Sequence, residues 1–204
     1  MTCAVWSDDA AKPPKPHVKL LIIPFKDMYR IYGAEASYRC PLSGRVQMLG
    51  VVVPSADDQL TEHLFTLIQA HQFYHPVLAD SDSGLIAEQI AGRKRISSEM
   101  EFLAAVGDYY GADRIMAGYL YRFTDRTGSN YAAEKPASVS FSLYLIDVKS
   151  RHLLWAWHFD ETQKALSENL FELPAFIKRK GRWITASQMA QAGLEEMLAT
   201  LPNP

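Results

Sequence analysis

A strict alternation of apolar and polar side chains runs through residues 137–162 and constrains the fold more than any other feature of the chain. In its first half, apolar residues alternate with serines: Val139, Phe141, Leu143 and Leu145 against Ser138, Ser140 and Ser142. In its second half, Trp155, Trp157 and Phe159 alternate with Ala156, His158 and Asp160. A period of two predicts two β-strands, each with one face on a core, paired as a hairpin.

Strand-like and helical segments alternate before this hairpin. Continuous apolar runs predict buried strands at 18–25 and 115–123, and residues 74–78 suit a short strand. Helices are predicted at 83–91 and after Ser55, Ser98, Ser167 and Thr185, with Gly111 ending the one that follows Ser98. Residues 26–53 form a long excursion with an added strand. The pattern predicts an α/β fold, a mixed β-sheet of about five strands packed with α-helices and ending in an antiparallel hairpin.

Length and composition favour one domain over residues 18–204. A chain of 204 residues with 48% hydrophobic residues can fill one core of ordinary size. The formal net charge of −2 provides no overall attraction for nucleic acid, so we expect no nucleic-acid partner. No apolar run approaches the roughly 20 residues of a membrane-spanning helix.

Residues 1–17 are small, polar and proline-rich, which predicts a flexible tether. Cys3 stands at its head, where a cysteine resembles the acylated first residue of a mature bacterial lipoprotein whose signal peptide has been removed. Ala4, where an aspartate can stand, resembles the sorting pattern for the outer membrane. We therefore expect a lipid on Cys3 and a location on the periplasmic face of the outer membrane. A native start at Met1 would instead make the protein a cytoplasmic structural subunit.

Four structural motifs resemble a known group of bacterial envelope proteins. They are the 18–25 strand ending in Pro24-Phe25, the helix running into Gly111-Ala112-Asp113, the 115–123 strand, and the hairpin with Ile146-Asp147-Val148 before Leu154-Trp155. They look like the α/β domain shared by CsgG, the penicillin-binding-protein activator LpoB and the N-terminal domain of TolB. Residues 136–138, 167–170 and 181–186 are similar to segments of uncharacterised lipoproteins of Gram-negative bacteria.

The resemblance implies an envelope location, a lipid tether and work done by contact with other proteins, not by catalysis. The chain departs from the group at the hairpin turn, where Lys149-Ser150-Arg151 replaces the usual glycine. The polar connection at 124–136 is also too short for the membrane-threading strand pair of a secretion pore. We expect a non-enzymatic, lipid-anchored domain that docks onto an envelope protein, with oligomerisation left open and no cofactor.

Two aromatic segments are the candidate docking surfaces. The excursion supplies Tyr29, Tyr32 and Tyr38. The second segment mixes aromatic and basic residues: Phe176, Lys178, Arg179, Arg182 and Trp183. Tyrosine, tryptophan and arginine are the side chains that most often anchor protein interfaces.

The sequence gives less support to catalysis, nucleotide binding or metal binding. It lacks the glycine-rich phosphate loops and the G-x-S-x-G elbow, and its nearest approach to a triad is Ser167 with His158 and Asp160, interpreted as a polar outer face. His71 and His75 lack a third ligand, so no metal is expected. The rival hypothesis is a small-molecule-binding or hydrolytic α/β protein with its site at the carboxyl ends of the strands, where Lys26, Asp27, Arg122 and Asp125 would gather.

Overall fold

The helices and strands alternate as the sequence predicts, in a computed structural model that describes residues 18–33, 36–79, 96–128, 133–163 and 184–203. The described elements, in chain order, are β1 (Val18–Asp27), α1 (Met28–Tyr32), β2 (Ser37–Arg39), β3 (Val46–Met48), α2 (Ala56–Gln69), β4 (Tyr74–Leu78), α3 (Glu99–Tyr110), β5 (Arg114–Thr124), β6 (Thr127–Gly128), β7 (Ala133–Lys135), β8 (Ser138–Asp147), β9 (His152–Thr162) and α4 (Ala186–Thr200). The helices predicted at 83–91 and after Ser167 fall outside the described residues.

Five strands form one mixed sheet in the order β4-β1-β5-β8-β9. Strand β1 is parallel to both of its neighbours, β4 and β5, whereas β8 is antiparallel to β5 and to β9. Parallel neighbours need crossover connections, and α2 and α3 belong to the connections that follow β1 and β4. The predicted α/β architecture, with its late hairpin, is confirmed.

One face of the sheet is covered by α2 and α4. The buried side chains of these helices are mainly aliphatic, among them Leu60, Leu64, Ile68, Met189, Leu194 and Met197. They pack on alternate sheet residues such as Leu20, Ile22 and Phe141, and the partly buried Trp155 and Trp157 join them. Burial of this much apolar surface is the main source of folding free energy.

The opposite face is covered by α3 and by the ribbon, our name for β2 and β3 with the turn between them (residues 37–48). Helix α3 contributes Leu103 and Val106. The ribbon contributes Cys40, which is a free, buried cysteine. The sheet presents three buried tyrosines to this layer: Tyr119, Tyr121 and Tyr144. This face therefore buries more tyrosine hydroxyl groups than the α2/α4 face.

The ribbon changes the environment of β8. The alternation places Ser138, Ser140 and Ser142 on the face opposite the apolar residues of β8; all three are buried, and Ser142 has no exposed surface. The alternation identified the strand correctly, but it did not show whether the polar face is exposed or covered. The serines are covered by segments distant in sequence, and such cover leaves no mark on the pattern of the strand itself.

Both edges of the sheet carry features that discourage pairing with other strands. Edge strand β4 contains Pro76, which has no N–H to donate. Edge strand β9 has a bulge at Leu154, because Leu145 pairs with Trp155 while Ile146 pairs with Leu153. Such devices protect exposed edges from edge-to-edge association.

Side-chain caps explain where helices α3 and α4 begin. The Ser98 hydroxyl accepts a 3.2 Å hydrogen bond from the Glu101 N–H, and Thr185 forms a full capping box with Gln188. Ser55 and Asp58 have the spacing of a capping box, but Ser55 precedes α2 with a φ of 63° and its side chain makes no cap hydrogen bond. Gly111 ends α3 in the left-handed conformation, as predicted.

The turn between β8 and β9 forms without glycine. The Asp147 carboxylate accepts 2.7 Å hydrogen bonds from the N–H and the hydroxyl of Ser150, which lowers the pKa of Asp147. Arg151 then adopts a φ of 57°, the left-handed conformation for which glycine is the usual residue.

The apolar run at 49–53 does not form a full strand, since Val52 makes only an isolated bridge to Phe123.

Candidate functional site

The structure separates the three tyrosines predicted for the excursion. Tyr32, on α1, is 56% exposed, and its ring centroid lies 5.2 Å from that of Tyr38. Tyr38, on β2, is partly buried and lies 6.2 Å from Tyr121 of the sheet. Tyr29 instead packs against the α2/α4 core. Of the three, only Tyr32 is largely open to solvent.

Burial of Tyr38, with Cys40 nearby, raises the pKa of its phenol well above the ordinary value. This tyrosine therefore stays neutral at physiological pH. Its position between Tyr32 and Tyr121 makes it a link between the exposed residues of α1 and the sheet.

The excursion exposes apolar residues that the sequence analysis missed, two of them on the outer face of the ribbon. In the described part of the chain, eight large apolar side chains are exposed, and five of them lie between residues 31 and 51. We name these five the excursion surface: Ile31, Tyr32, Val46, Met48 and Val51. The other three lie on separate elements: Leu78, Tyr109 and Leu154. The alternation of Val46, Gln47 and Met48 contained the signal, because Gln47 is the buried member of the three.

Three exposed arginines lie on the same segment as the excursion surface. The Arg30 side chain is 70% exposed, and its Nε lies 3.7 Å from Oδ2 of the buried Asp27. Arg39 donates a 3.0 Å hydrogen bond from Nη1 to the Gly44 carbonyl oxygen. Among the described residues, no carboxylate forms a salt bridge with Arg39 or Arg45. The segment therefore combines exposed apolar groups with positive charge.

A polar seam attaches the ribbon to the sheet. The Ser43 hydroxyl lies 3.0 Å from the Tyr144 hydroxyl, and Gln47 Nε2 lies 3.4 Å from His158 Nδ1. Ser142 Oγ lies 2.9 Å from the same ring nitrogen. Burial lowers the pKa of His158, with a further contribution from the nearby Arg45, while Asp160 acts in the opposite direction. His158 is therefore neutral at neutral pH.

The structure places a serine, a histidine and a carboxylate next to one another: Ser142, His158 and Asp160. The sequence analysis had suggested Ser167 as the serine. Ser167 lies outside the described residues. Ser142 has no exposed surface, and His158 Nε2 lies 4.0 Å from Asp160 Oδ2, longer than a hydrogen bond. A nucleophile must reach its substrate and be activated by an oriented base. These three residues instead connect β8, β9 and the ribbon.

The four residues of the rival hypothesis do not form a common site. Lys26 Nζ lies 3.6 Å from Glu99 Oε1. Asp27 caps α1 by accepting a hydrogen bond from the Arg30 N–H. Arg122 pairs with Asp160 and Ser138, and Asp125 accepts a 2.9 Å hydrogen bond from the Ala186 N–H at the start of α4. Each polar group is engaged in a separate structural contact.

One cavity, of about 360 Å³, opens between β1, β5 and α3 beside Lys26. Its polar residues are Lys26, Glu99 and Tyr119, and the Tyr119 hydroxyl donates a 2.8 Å hydrogen bond to Glu99. Its other walls are mainly apolar: Ile23, Pro24, Phe25, Phe102, Leu103, Val106 and Ala117. Because its few polar groups already bond to one another, the cavity gives little support to recognition of a polar ligand.

His71 and His75 do not share a helix face. Helix α2 ends at Gln69, so His71 follows the helix while His75 lies in β4. Across the described ranges, no cluster of three or more potential ligand side chains could hold a metal ion. Within the same ranges, no helix has the length and apolar character needed to cross a bilayer.

The remaining predicted site residues lie outside the described residues. They are the expected lipid attachment site and the second aromatic segment: Cys3, Phe176, Lys178, Arg179, Arg182 and Trp183. Their roles stay predictions from the sequence.

Comparison with known proteins identifies the fold. No family profile and no curated protein sequence matches the chain. A PelC dodecamer from Paraburkholderia phytofirmans is similar in structure, with a TM-score of 0.51 and 11% identity over 90% of this chain and 86% of that one. The LpoB C-terminal domain from Salmonella enterica gives a TM-score of 0.39 and 12% identity over 73% of this chain and 85% of that one. The PelC likeness supports the α/β fold alone.

Proposed function

We propose that this chain is a non-enzymatic, lipid-anchored periplasmic domain that docks onto another protein of the bacterial envelope. The observation that carries the proposal is the excursion surface, where five of the eight exposed large apolar side chains of the described residues are concentrated. Exposed apolar side chains are common singly, but a concentration on one segment is typical of an interaction site. The docked partner would assemble with the chain or be regulated by it.

The packing of the ribbon supports this proposal. Its inner face already contributes Tyr38, Cys40 and Gln47 to the interior, so folding does not require apolar residues on the outer face as well. Val46 and Met48 nevertheless occupy that outer face, and each has more than half of its surface exposed. Methionine, tyrosine and arginine are enriched in protein interfaces. The composition of the segment is therefore that of a binding surface.

The lipid anchor is the second part of the proposal and rests on Cys3. Fourteen residues separate Cys3 from Val18, the first residue of β1. A flexible chain of this length has a root-mean-square span of about 20 Å, which would hold the domain close to the membrane. Such a tether raises the local concentration of the domain near membrane partners. The segment with Phe176 and Trp183 is proposed as a further contact.

Site-specific cross-linking in living cells tests the docking surface. A photoreactive amino acid replaces Met48 in one strain and Tyr109 in another, because both side chains are about 60% exposed but lie on different elements. We expect one envelope protein to be cross-linked from position 48 and not from position 109. If that protein is a second copy of the chain, docking is self-assembly, of the kind that the PelC dodecamer illustrates. Equal yields from both positions would contradict the proposal.

A separate measurement tests the anchor. The gene is expressed with its natural upstream sequence, and the protein is followed by membrane fractionation and by incorporation of labelled palmitate. We expect Cys3→Ala to move the protein from the membrane fraction to the soluble fraction and to abolish labelling. Cys40→Ala is the matched control, since Cys40 is buried. Unchanged membrane association of Cys3→Ala would remove the anchor from the proposal without affecting the docking surface.

A further inference from the structure

The charge of the excursion segment restricts its partner. Arg30, Arg39 and Arg45 are exposed, and the only described carboxylate paired with any of them is the buried Asp27. The chain as a whole has a formal net charge of −2, so this positive segment is a local feature and not a reflection of composition. An interface aligns opposite charges, because like charges brought together across it oppose association.

The position of the segment argues for a protein partner over the anchoring membrane. Residues 1–17 enter the domain at Val18, at the start of β1, whereas Ile31 and Tyr32 lie on α1, which follows the end of that strand. Ten residues of strand separate these two ends by about 30 Å. With the chain entering at one end of β1, the surface at the other end is available to a partner on the side away from the anchor.

The type of cation supports the same conclusion. The three basic residues between positions 30 and 51 are all arginines, whose planar guanidinium can bind a carboxylate through two parallel hydrogen bonds. The contact between Arg39 and the Gly44 carbonyl oxygen also restricts that side chain before any partner arrives. Restricting a group before binding reduces the entropy lost on association.

Resting on the proposed function, we infer that the excursion surface binds a protein face with an apolar centre and an acidic rim. Met48 and Val46 enter the apolar centre. Arg39 and Arg45 face carboxylates of the partner at the rim. The arginines set the rate of association and its dependence on salt, and the apolar residues set the lifetime of the complex.

The test uses the purified full chain and the envelope protein cross-linked from position 48. Association and dissociation rates are measured between 50 and 500 mM NaCl for the wild type and for the double variant Arg39→Glu/Arg45→Glu. The control is Lys149→Glu/Arg151→Glu, which changes the net charge equally at the exposed β8–β9 turn. We expect the ribbon variant to associate at least about tenfold more slowly at low salt and to lose most of the salt dependence. The control variant should remain within about threefold of the wild type.

A neutral double variant controls for misfolding as an explanation of weaker binding. Arg39→Gln/Arg45→Gln removes the charges without introducing repulsion, and we expect an intermediate association rate together with a wild-type circular dichroism spectrum. If Met48→Ser weakens binding while both arginine variants bind as the wild type does, the acidic rim is contradicted and the docking surface stands. If Met48→Ser also has no effect on binding, the proposed function fails as well.

Vesicles serve as the alternative probe. The full chain is mixed with phosphatidylcholine vesicles containing 30 mol% phosphatidylglycerol, and sedimentation measures the bound fraction. We expect equal binding by the wild type and by Arg39→Glu/Arg45→Glu. A loss of vesicle binding in that variant, with no protein cross-linked from position 48, would overturn the inference in favour of an anionic lipid surface.

Discussion

The two faces of the central sheet are packed by different chemistry. On the α2/α4 side, the ring of Phe141 has its centroid no more than 5.8 Å from those of Phe25, Trp157 and Phe159. Aliphatic side chains of the two helices cover this aromatic group. On the ribbon side, the same strands present Ser142 and Tyr144, which contact His158 and Ser43. One face is a hydrocarbon core, and the other includes a hydrogen-bonded seam.

This difference suggests that the hydrocarbon face mainly stabilises the fold, whereas the hydrogen-bonded face positions the ribbon for recognition. Apolar packing accounts for most folding free energy, whereas each hydrogen bond contributes about 1 kcal/mol net. A hydrogen bond requires a defined geometry, so the seam holds the ribbon in one position without a large apolar contact. The apolar residues of the outer face are then available for a partner. The consequence is that the two faces should respond very differently to mutation.

The largest expected effect is on the hydrocarbon face. Phe141→Ala should lower the free energy of unfolding by about 3–5 kcal/mol, because the truncation leaves a cavity in a closely packed aromatic group. Tyr144→Phe, on the opposite face of the same strand, should cost only about 1 kcal/mol through loss of the hydrogen bond to Ser43. Urea unfolding followed by tryptophan fluorescence measures both. Equal losses would contradict the contrast between the faces.

A smaller effect is expected within the seam, where two buried serines of β8 provide a matched pair. Ser142→Ala should cost about 1–2 kcal/mol, since it removes the hydroxyl that contacts the largely buried His158. Ser140 Oγ is buried without a hydrogen-bond partner among the described residues, so Ser140→Ala should change stability by less than about 0.5 kcal/mol. The same urea titrations compare them. A larger loss from Ser140→Ala would show that this face depends on packing and not on hydrogen bonds.

The seam should also make stability depend on pH. Burial lowers the pKa of His158, so below the ordinary histidine pKa of about 6.5 the unfolded chain takes up a proton more readily than the folded chain. Stability should therefore fall as the pH decreases below about 6.5, and His158→Gln should reduce that decline. Thermal unfolding between pH 5 and 8 measures it, with His75→Gln as an exposed control. A wild-type pH dependence retained in His158→Gln would assign the effect to other groups.

The sequence allowed prediction of the elements whose pattern is long. Strands β8 and β9 have ten and eleven residues, so their alternation was readable, and Thr185 and Ser98 preceded clear helical periods. The two strands of the ribbon were not predicted, because each has only three residues, too few to establish a period of two. Its exposed residues, Val46 and Met48, could only be recognised once the sheet beneath Gln47 was known.

Contacts between distant residues account for the other differences. Ser43 and Tyr144 are 101 positions apart, and Gln47 and His158 are 111 apart, so no local pattern could show that the polar face of β8 is covered. The rule that ligand sites lie at strand carboxyl ends drew attention to Asp27 and Asp125. It could not show that both carboxylates accept hydrogen bonds from N–H groups at helix starts.

The smallest expected effect on stability accompanies the largest expected effect on binding, and both can be measured in Met48→Ser. Because the Met48 side chain is 59% exposed, the substitution should change the free energy of unfolding by less than about 0.5 kcal/mol. The dissociation constant for the protein cross-linked from position 48 should rise at least about tenfold, as expected for an interface anchor. Unchanged affinity, or a loss of binding that merely follows a loss of folding, would contradict the account of the ribbon as a docking surface.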